Sequence, residues 1–286
     1  MYQSSSKFCL IGHPLGHSMS PFIHNRLFAL LGMENVTYDK RDLAPEILAH
    51  ALPLLLDDCR GLNVTIPHKQ AVIPYLTRLE GRAELYQSVN TIAVTEEGAI
   101  GYNTDAAGFQ RALQEAGAPL SGRVALLGCG GVGRTFACEA ALAGCRIVNA
   151  VRDADLAAAE ELRRFVLGLA PAVDYTITSL SALEGTFDLL INATPVGMYP
   201  RADVSPVPDG VLSRSRAVFD AIYNPRETRL LARAKAAGAL TIGGMAMLVW
   251  QAADAQSIWF GREFDPQAVA GVIEEALEEM ERTFHG

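Results

Sequence analysis

The chain has 286 residues, half of them hydrophobic and a fifth charged, which predicts two globular domains and excludes a disordered polypeptide. Lys and Arg number 24 against 32 Asp and Glu, and the formal charge of -8 argues against a nucleic-acid binder. The five cysteines, at 9, 59, 129, 138 and 145, contain no C-x-x-C pair, so neither a zinc ribbon nor a disulfide framework is expected and a reducing cytoplasm fits. No basic segment followed by an apolar core opens the chain, so no secretory signal is expected. The longest uncharged run, 236–253, holds three glycines and reads as buried core, so no membrane span is expected either.

In chain order, 8–12 reads as a strand, 20–31 as a helix, 37–43 as a strand, 46–56 as a helix and 61–66 as a strand. This alternation is the mark of a parallel α/β sheet. Two short runs within 92–102 flank Glu97-Gly98 and predict a hairpin at the edge of that sheet. A helix over 106–115 follows, and the domain boundary is placed there. Strands are then expected at 123–127, 146–151, 173–178, 189–193 and 217–222, with helices between them, notably 155–169. From Met245 the chain reads as helical to its end and is expected to return to the first domain. The predicted fold is therefore α/β with two domains, 1–105 with 246–286 and 106–245, the second of Rossmann type.

The strand at 123–127 runs into Gly128, Gly130, Gly131 and Gly133, and residues 128, 130 and 133 match G-x-G-x-x-G. The first glycine makes the tight turn, the second lets backbone approach a pyrophosphate, and the third lets helix and strand pack closely. The helix that opens there offers free N–H groups and a partial positive charge to phosphates. These features predict a dinucleotide site. The next strand ends in Arg152 and Asp153. An acid at that place suits the ribose hydroxyls of NAD, and an arginine suits the 2′-phosphate of NADP.

Two segments of the first half are polar in an apolar setting. In 12–21, Ser20 is expected to cap a helix whose first residue is Pro21, and Ser18 and Ser20 are placed to donate hydroxyls to a carboxylate. In 63–69, Pro67 predicts a helix start, with Lys69 in the first turn, where the helix dipole disfavours a cation and lowers its pKa. Asp105 reads either as a plain helix cap or as a partner that orients Lys69. A Lys–Asp pair beside a dinucleotide fold points to proton transfer coupled to hydride transfer. His13, His17, His24 and His68 have no carboxylate cluster at ligand spacing, so local hydrogen bonds and no metal are expected of them.

Taken together, H-S-M-S-P-x-I-H-N at 17–25, N-V-T-I-P-H-K at 63–69, G-Y-N-T-D-x-x-G-F at 101–109, N-A-T-P-V-G-M at 192–198, Y-N-P-x-x-T at 223–228 and M-L-V-W-Q-A-A at 247–253 resemble the shikimate dehydrogenase family. The resemblance implies a two-domain enzyme that interconverts 3-dehydroshikimate and shikimate with NADP, NAD being the alternative cofactor. It assigns Lys69 and Asp105 to catalysis and Ser18 and Ser20 to the substrate carboxylate. Thr65, Asn90 and Gln251 fall to the ring hydroxyls. Thr194, Pro195, Gly197, Met198, Tyr223, Gly244 and Met247 line the nicotinamide and the substrate, with Tyr223 counted on the substrate side.

Three positions depart from the family pattern: Gln87-Ser88 where Gly-Ala is usual, Val151-Arg152-Asp153 where Asn-Arg-Thr is usual, and Gly133 for an alanine. Two other readings stand beside the main one. The first is an NAD-dependent quinate/shikimate dehydrogenase of catabolism, motivated by Asp153. The second is a non-catalytic metabolite-sensing homologue, disfavoured by the retention of Lys69 and Asp105. The expected partners are small molecules, without nucleic acid or membrane, for a monomer or homodimer.

Overall fold

The computed structural model describes residues 6–16 and 18–284; His17 lies outside the described residues. The chain divides into two compact units, Met1–Ala107 with Val249–Met280 and Gly108–Leu248 with Glu281–Gly286. Each is built on a six-stranded sheet with helices, so the α/β, two-domain expectation holds.

The first unit runs β1 (Ser6–Gly12), α1 (Ser20–Leu30), β2 (Val36–Asp42), α2 (Leu48–Asp58), β3 (Gly61–Val64), β4 (Arg78–Leu79), α3 (Arg82–Tyr86), β5 (Thr91–Thr95), β6 (Gly98–Tyr102) and α4 (Asp105–Glu115), the last continuing into the second unit. Its sheet order is β2-β1-β3-β5-β6-β4. β1 is parallel to both β2 and β3, while β5 is antiparallel to β3 and to β6. The inner strand β1 bears apolar side chains on both faces because both are covered, Cys9 and Ile11 on one and Phe8 and Leu10 on the other. Ile11, Leu52, Leu62 and Ile92 anchor one core, and Phe8, Leu10, Phe28 and Tyr38 another.

The second unit contains β7 (Arg123–Leu127), α5 (Gly131–Leu142), β8 (Arg146–Val151), α6 (Leu156–Leu169), β9 (Tyr175–Ser179), β10 (Phe187–Asn192), α7 (Asp209–Leu212), β11 (Ser215–Asp220), α8 (Arg229–Ala236) and β12 (Leu240–Ile242). All its strands are parallel, in the order β12-β11-β10-β7-β8-β9. This is the doubly wound arrangement of a Rossmann fold. α6 shows why a helix forms: Ala159, Leu162 and Val166 recur on one buried face while Glu and Arg occupy the other.

Two helices complete the chain, α9 (Gly244–Phe260) and α10 (Pro266–Phe284). The Val249–Met280 part of them falls in the first unit. Trp259 Nε1 donates to Ile92 O at 3.0 Å, and Gly61 is required there: a Cβ at that position would lie 2.4 Å from the indole nitrogen. Asp265 Oδ1 accepts from the amides of Gln267 and Ala268 and so caps α10.

Several local expectations need correction. The hairpin β5–β6 does not form the sheet edge, because β4, two residues long and without a pattern to betray it, pairs outside β6. The helix expected to run from Met245 to the end is broken between Phe260 and Pro266. β12 adds a sixth strand within a run read only as core. No helix starts at Pro67: Lys69 lies in turns that lead to a short 3-10 segment, Ile73–Tyr75, so the dipole argument for Lys69 falls away. Ser20 is the first residue of α1 rather than its cap, Met19 taking the cap position. Gln87, where the resembled family carries glycine, has φ 51° in the left-handed region, and its side-chain amide ties back to Glu84 O at 2.7 Å.

All five cysteines are free. No helix among the described residues is long and apolar enough to cross a membrane.

Candidate active site

In an open α/β sheet, ligands bind beyond the carboxyl ends of the strands where the strand order reverses. In the first sheet that point lies between β1, followed on one side by β2, and β3 on the other. Two polar segments emerge there side by side. His13 N donates to Ile66 O at 2.9 Å and Thr65 N to Ile11 O at 2.9 Å. A Cβ on Gly12 would stand 2.4 Å from Thr65 Cγ2, so only glycine lets the two loops approach this closely.

Beyond this point Lys69 Nζ donates to Asp105 Oδ2 at 2.5 Å, with 20% and 11% of their side chains exposed. Asp105 opens α4, and its other oxygen accepts from Asn90 Nδ2 at 2.8 Å. Asn90 also donates to Thr104 Oγ1 at 3.0 Å and to Gln251 Oε1 at 3.4 Å, while Thr104 donates to Gln251 O at 2.9 Å. Asn90 Oδ1 accepts from Thr104 N and Thr91 Oγ1, and Thr91 continues through Asn63 to the Tyr38 hydroxyl. Asn63, Asn90, Thr91 and Thr104 are all buried. Such a network is costly to bury half-satisfied and, once satisfied, holds one geometry. It brings Lys69, Asp105, Asn90 and Gln251 together; among the described residues no hydrogen bond ties Ser18, Ser20 or Thr65 side chains to it directly.

Ser18 and Ser20 face each other, Ser18 Oγ donating to Ser20 Oγ at 3.2 Å and accepting from Ser20 N at 3.2 Å. Their loop is held from β2: Asp42 accepts from Leu15 N at 3.0 Å and pairs with His13 Nδ1 at 2.6 Å, and Lys40 reaches Leu15 O at 3.3 Å. His68 Nε2 pairs with Leu43 O at 2.7 Å. His24 stacks on Tyr38 and meets Gln256; burial pushes its pKa down to about 3, so it is neutral. Among the described residues no group of three or more His, Cys, Asp or Glu is arranged to hold a metal.

In the second sheet the order reverses between β7 and β10. The glycine loop follows β7 and the 192–198 segment follows β10. Ala193 N donates to Leu127 O at 3.0 Å, and a Cβ on Gly128, whose φ is +93°, would lie 2.9 Å from Thr194 Cγ2. A Cβ on Gly133 would meet Gly128 O at 3.2 Å, so the helix sits close on its strand. At Gly130 and Gly131 a Cβ would meet nothing within 4 Å, which leaves the first amides of α5 open to a pyrophosphate. These residues fit a dinucleotide. Arg152 and Asp153 are exposed just past β8. Gly244 packs so tightly that a Cβ would lie 2.3 Å from Ala221 O. Gly197 and Met247 are buried, Pro195 and Met198 exposed, and burial raises the Tyr223 phenol pKa.

Asp220 is a residue that the motif reading missed. It ends β11 fully buried, and its carboxylate accepts from Asn192 Nδ2 (3.0 Å), Ile222 N (3.1 Å) and Thr228 Oγ1 (2.6 Å). Asn192 Oδ1 in turn accepts from Thr194 N and Oγ1. One carboxylate thus anchors both the 192–198 and the 223–228 segments. A charged residue ending an otherwise apolar strand, Ala-Val-Phe-Asp, was the available signal.

Burial pushes the Asp220 pKa up to about 6, its three hydrogen bonds opposing the shift. The folded state therefore holds this proton more tightly than the unfolded chain, so stability falls as pH rises from about 4 through about 6. The cost at pH 7 is on the order of 3 kcal/mol. Asp220→Asn keeps the shape without the charge. Urea midpoints at pH 4.5 and 7 are expected to show the variant gaining on the wild type as pH rises; a pH-independent difference would refute the assignment.

A family model described as "Shikimate dehydrogenase substrate binding domain" matches residues 10–92. Over 280 residues the chain is 39% identical to the shikimate dehydrogenase (NADP+) of Moorella thermoacetica, covering 96% of this chain and 94% of that one. The chain belongs to the shikimate dehydrogenase family. A shikimate dehydrogenase solved in complex with NADP+ matches with a TM-score of 0.85 and 35% identity over 96% of each chain. The shikimate 5-dehydrogenase of Listeria monocytogenes, solved in complex with shikimate and NAD, matches with a TM-score of 0.84 and 30% identity over 95% of this chain and 96% of that one. The family's structures thus include both nicotinamide cofactors.

Proposed function

We propose that the protein interconverts 3-dehydroshikimate and shikimate by hydride transfer with NADP(H), as in aromatic amino acid biosynthesis. The observation that carries this reading is the Lys69–Asp105 pair, fixed by Asn90 at the sheet's switch point. Residues 1–105 with 246–286 serve as the substrate domain and 106–245 as the dinucleotide domain. The cofactor, when bound, supplies or accepts the hydride.

Lys69 donates the proton to the reacting oxygen and stabilises its developing negative charge during ketone reduction. In the reverse direction it accepts the hydroxyl proton. Asp105 orients the ammonium and is itself held by Asn90. Ser18 and Ser20 bind the substrate carboxylate through their hydroxyls, and Thr65, Asn90, Gln251 and Tyr223 hold the rest of the ring. Gly128, Gly130, Gly131 and Gly133 cradle the pyrophosphate. Arg152 takes the 2′-phosphate, and the anchored 192–198 segment with Gly244 and Met247 shapes the nicotinamide end. Small-molecule substrates and free cysteines suit the cytoplasm.

A second reading, NAD-linked oxidation of quinate or shikimate, is favoured by Asp153 beside Arg152. Initial rates with shikimate or quinate, each with NADP+ or NAD+, decide between the two. High kcat/KM confined to shikimate with NADP+ is expected; equal or better rates with NAD+ on quinate would favour the second reading, and no turnover in any combination would overturn both.

A further inference from the structure

We propose that Asp155 governs how strongly this chain prefers NADP over NAD, by occupying the guanidinium that would hold the 2′-phosphate. The inference rests on the cofactor reading given above. Arg152 stands just beyond β8, where a Rossmann fold meets the adenosine ribose. One edge of its fork is already engaged. Nε donates to Asp155 Oδ2 at 2.7 Å, and Nη2 donates to Asp155 Oδ1 at 3.1 Å. This is the bidentate geometry that a phosphate would itself demand of an arginine.

Asp155 is also placed against the cofactor loop. The Cys129 thiol, between Gly128 and Gly130, lies 3.9 Å from Asp155 O. The mutual pairing shows in the charge states, the arginine pushed up and the Asp155 carboxyl pulled down from their ordinary pKa values. Within 152–155 one cation stands against two carboxylates, Asp153 and Asp155.

A 2′-phosphate must either take these Arg152 donors from Asp155 or use the remaining Nη1 edge, and in both cases its negative charge comes within a few ångströms of the Asp155 carboxylate. A 2′-hydroxyl does neither: it is neutral and can donate to a carboxylate. Asp155 therefore disfavours NADP selectively and leaves NAD nearly untouched.

The test is calorimetric titration of NADP+ and NAD+ into the full-length protein, its Asp155→Ala and Asp155→Asn variants, and Arg152→Ala with and without Asp155→Ala. Asp155 makes no side-chain cap bond to α6, so its variants are expected to keep the wild-type melting temperature. Both Asp155 variants are expected to bind NADP+ about tenfold more tightly while NAD+ changes less than about twofold. In the Arg152→Ala background the gain shrinks, because the phosphate no longer competes for the fork. An unchanged NADP+/NAD+ ratio overturns the proposal, as does a selective loss of NAD+, which would make Asp155 a ribose ligand. A wild type that binds neither dinucleotide overturns the cofactor reading as well; one that binds both with the ratio unmoved by the variants overturns this proposal alone.

Discussion

Replacing Lys69 with alanine is expected to cut kcat for shikimate oxidation by about 10² to 10⁴-fold, the range for losing a positioned acid–base group. The ammonium meets the reacting oxygen only when charge develops on it, so the loss should fall on kcat more than on KM. Cofactor affinity should stay near normal, because the glycine loop belongs to the other compact unit. The fold should survive: Lys69 lies in a turn, and removing it leaves Asp105 hydrogen-bonded to Asn90. Steady-state kinetics with a separate NADP+ titration check this. Turnover within a few-fold of wild type, or a primary loss of cofactor binding, would remove Lys69 from the proton-transfer role.

Phe109→Ala is expected to destabilise the protein by about 3–5 kcal/mol, the usual cost of emptying a buried aromatic site. Phe109 closes the G-Y-N-T-D-x-x-G-F motif, yet its task is packing. Phe109, Phe136 and Phe219 are wholly buried and meet with ring centroids 4.3, 5.0 and 5.5 Å apart. Domains of ordinary stability hold only about 5–15 kcal/mol in total, so the variant should unfold at much lower urea. Phe109→Leu, which keeps most of the volume, should cost markedly less. A loss below about 1 kcal/mol for Phe109→Ala would mean that the aromatic cluster is not what holds this helix to its sheet.

Much of this protein could be read along the chain, because the signals concerned are local. Strand–helix alternation follows from apolar spacing, and the glycine loop declares itself by standing between β7 and α5. Lys69, Asp105, Asn90 and Gln251 were picked out as polar residues in motifs. Lys69 and Asp105 were legible as a candidate proton-transfer pair beside a dinucleotide fold, whereas the roles of Asn90 and Gln251 came from resemblance alone. What failed were inferences that treated a local signal as sufficient. Pro67 suggested a helix, but Thr65 N donates to Ile11 O, Ile66 O accepts from His13 N, and His68 N closes a turn on Thr65 O. β4 has two residues and no periodicity, and exists only because β6 offers it an edge.

The sequence alone determined the α/β class, the dinucleotide loop and the set of polar motifs, since each depends on neighbours a few residues away. Only the tertiary structure decided which of those residues meet. Lys69 and Asp105 are 36 positions apart, and Asn90 and Gln251 are 161 apart. Asp220 acquires its raised pKa from burial beneath segments that follow two different strands. Burial and long-range hydrogen bonding are properties of the packed chain, and no local pattern encodes them. The Arg152–Asp155 pair spans only three residues, yet whether the arginine is open or engaged is a matter of side-chain geometry.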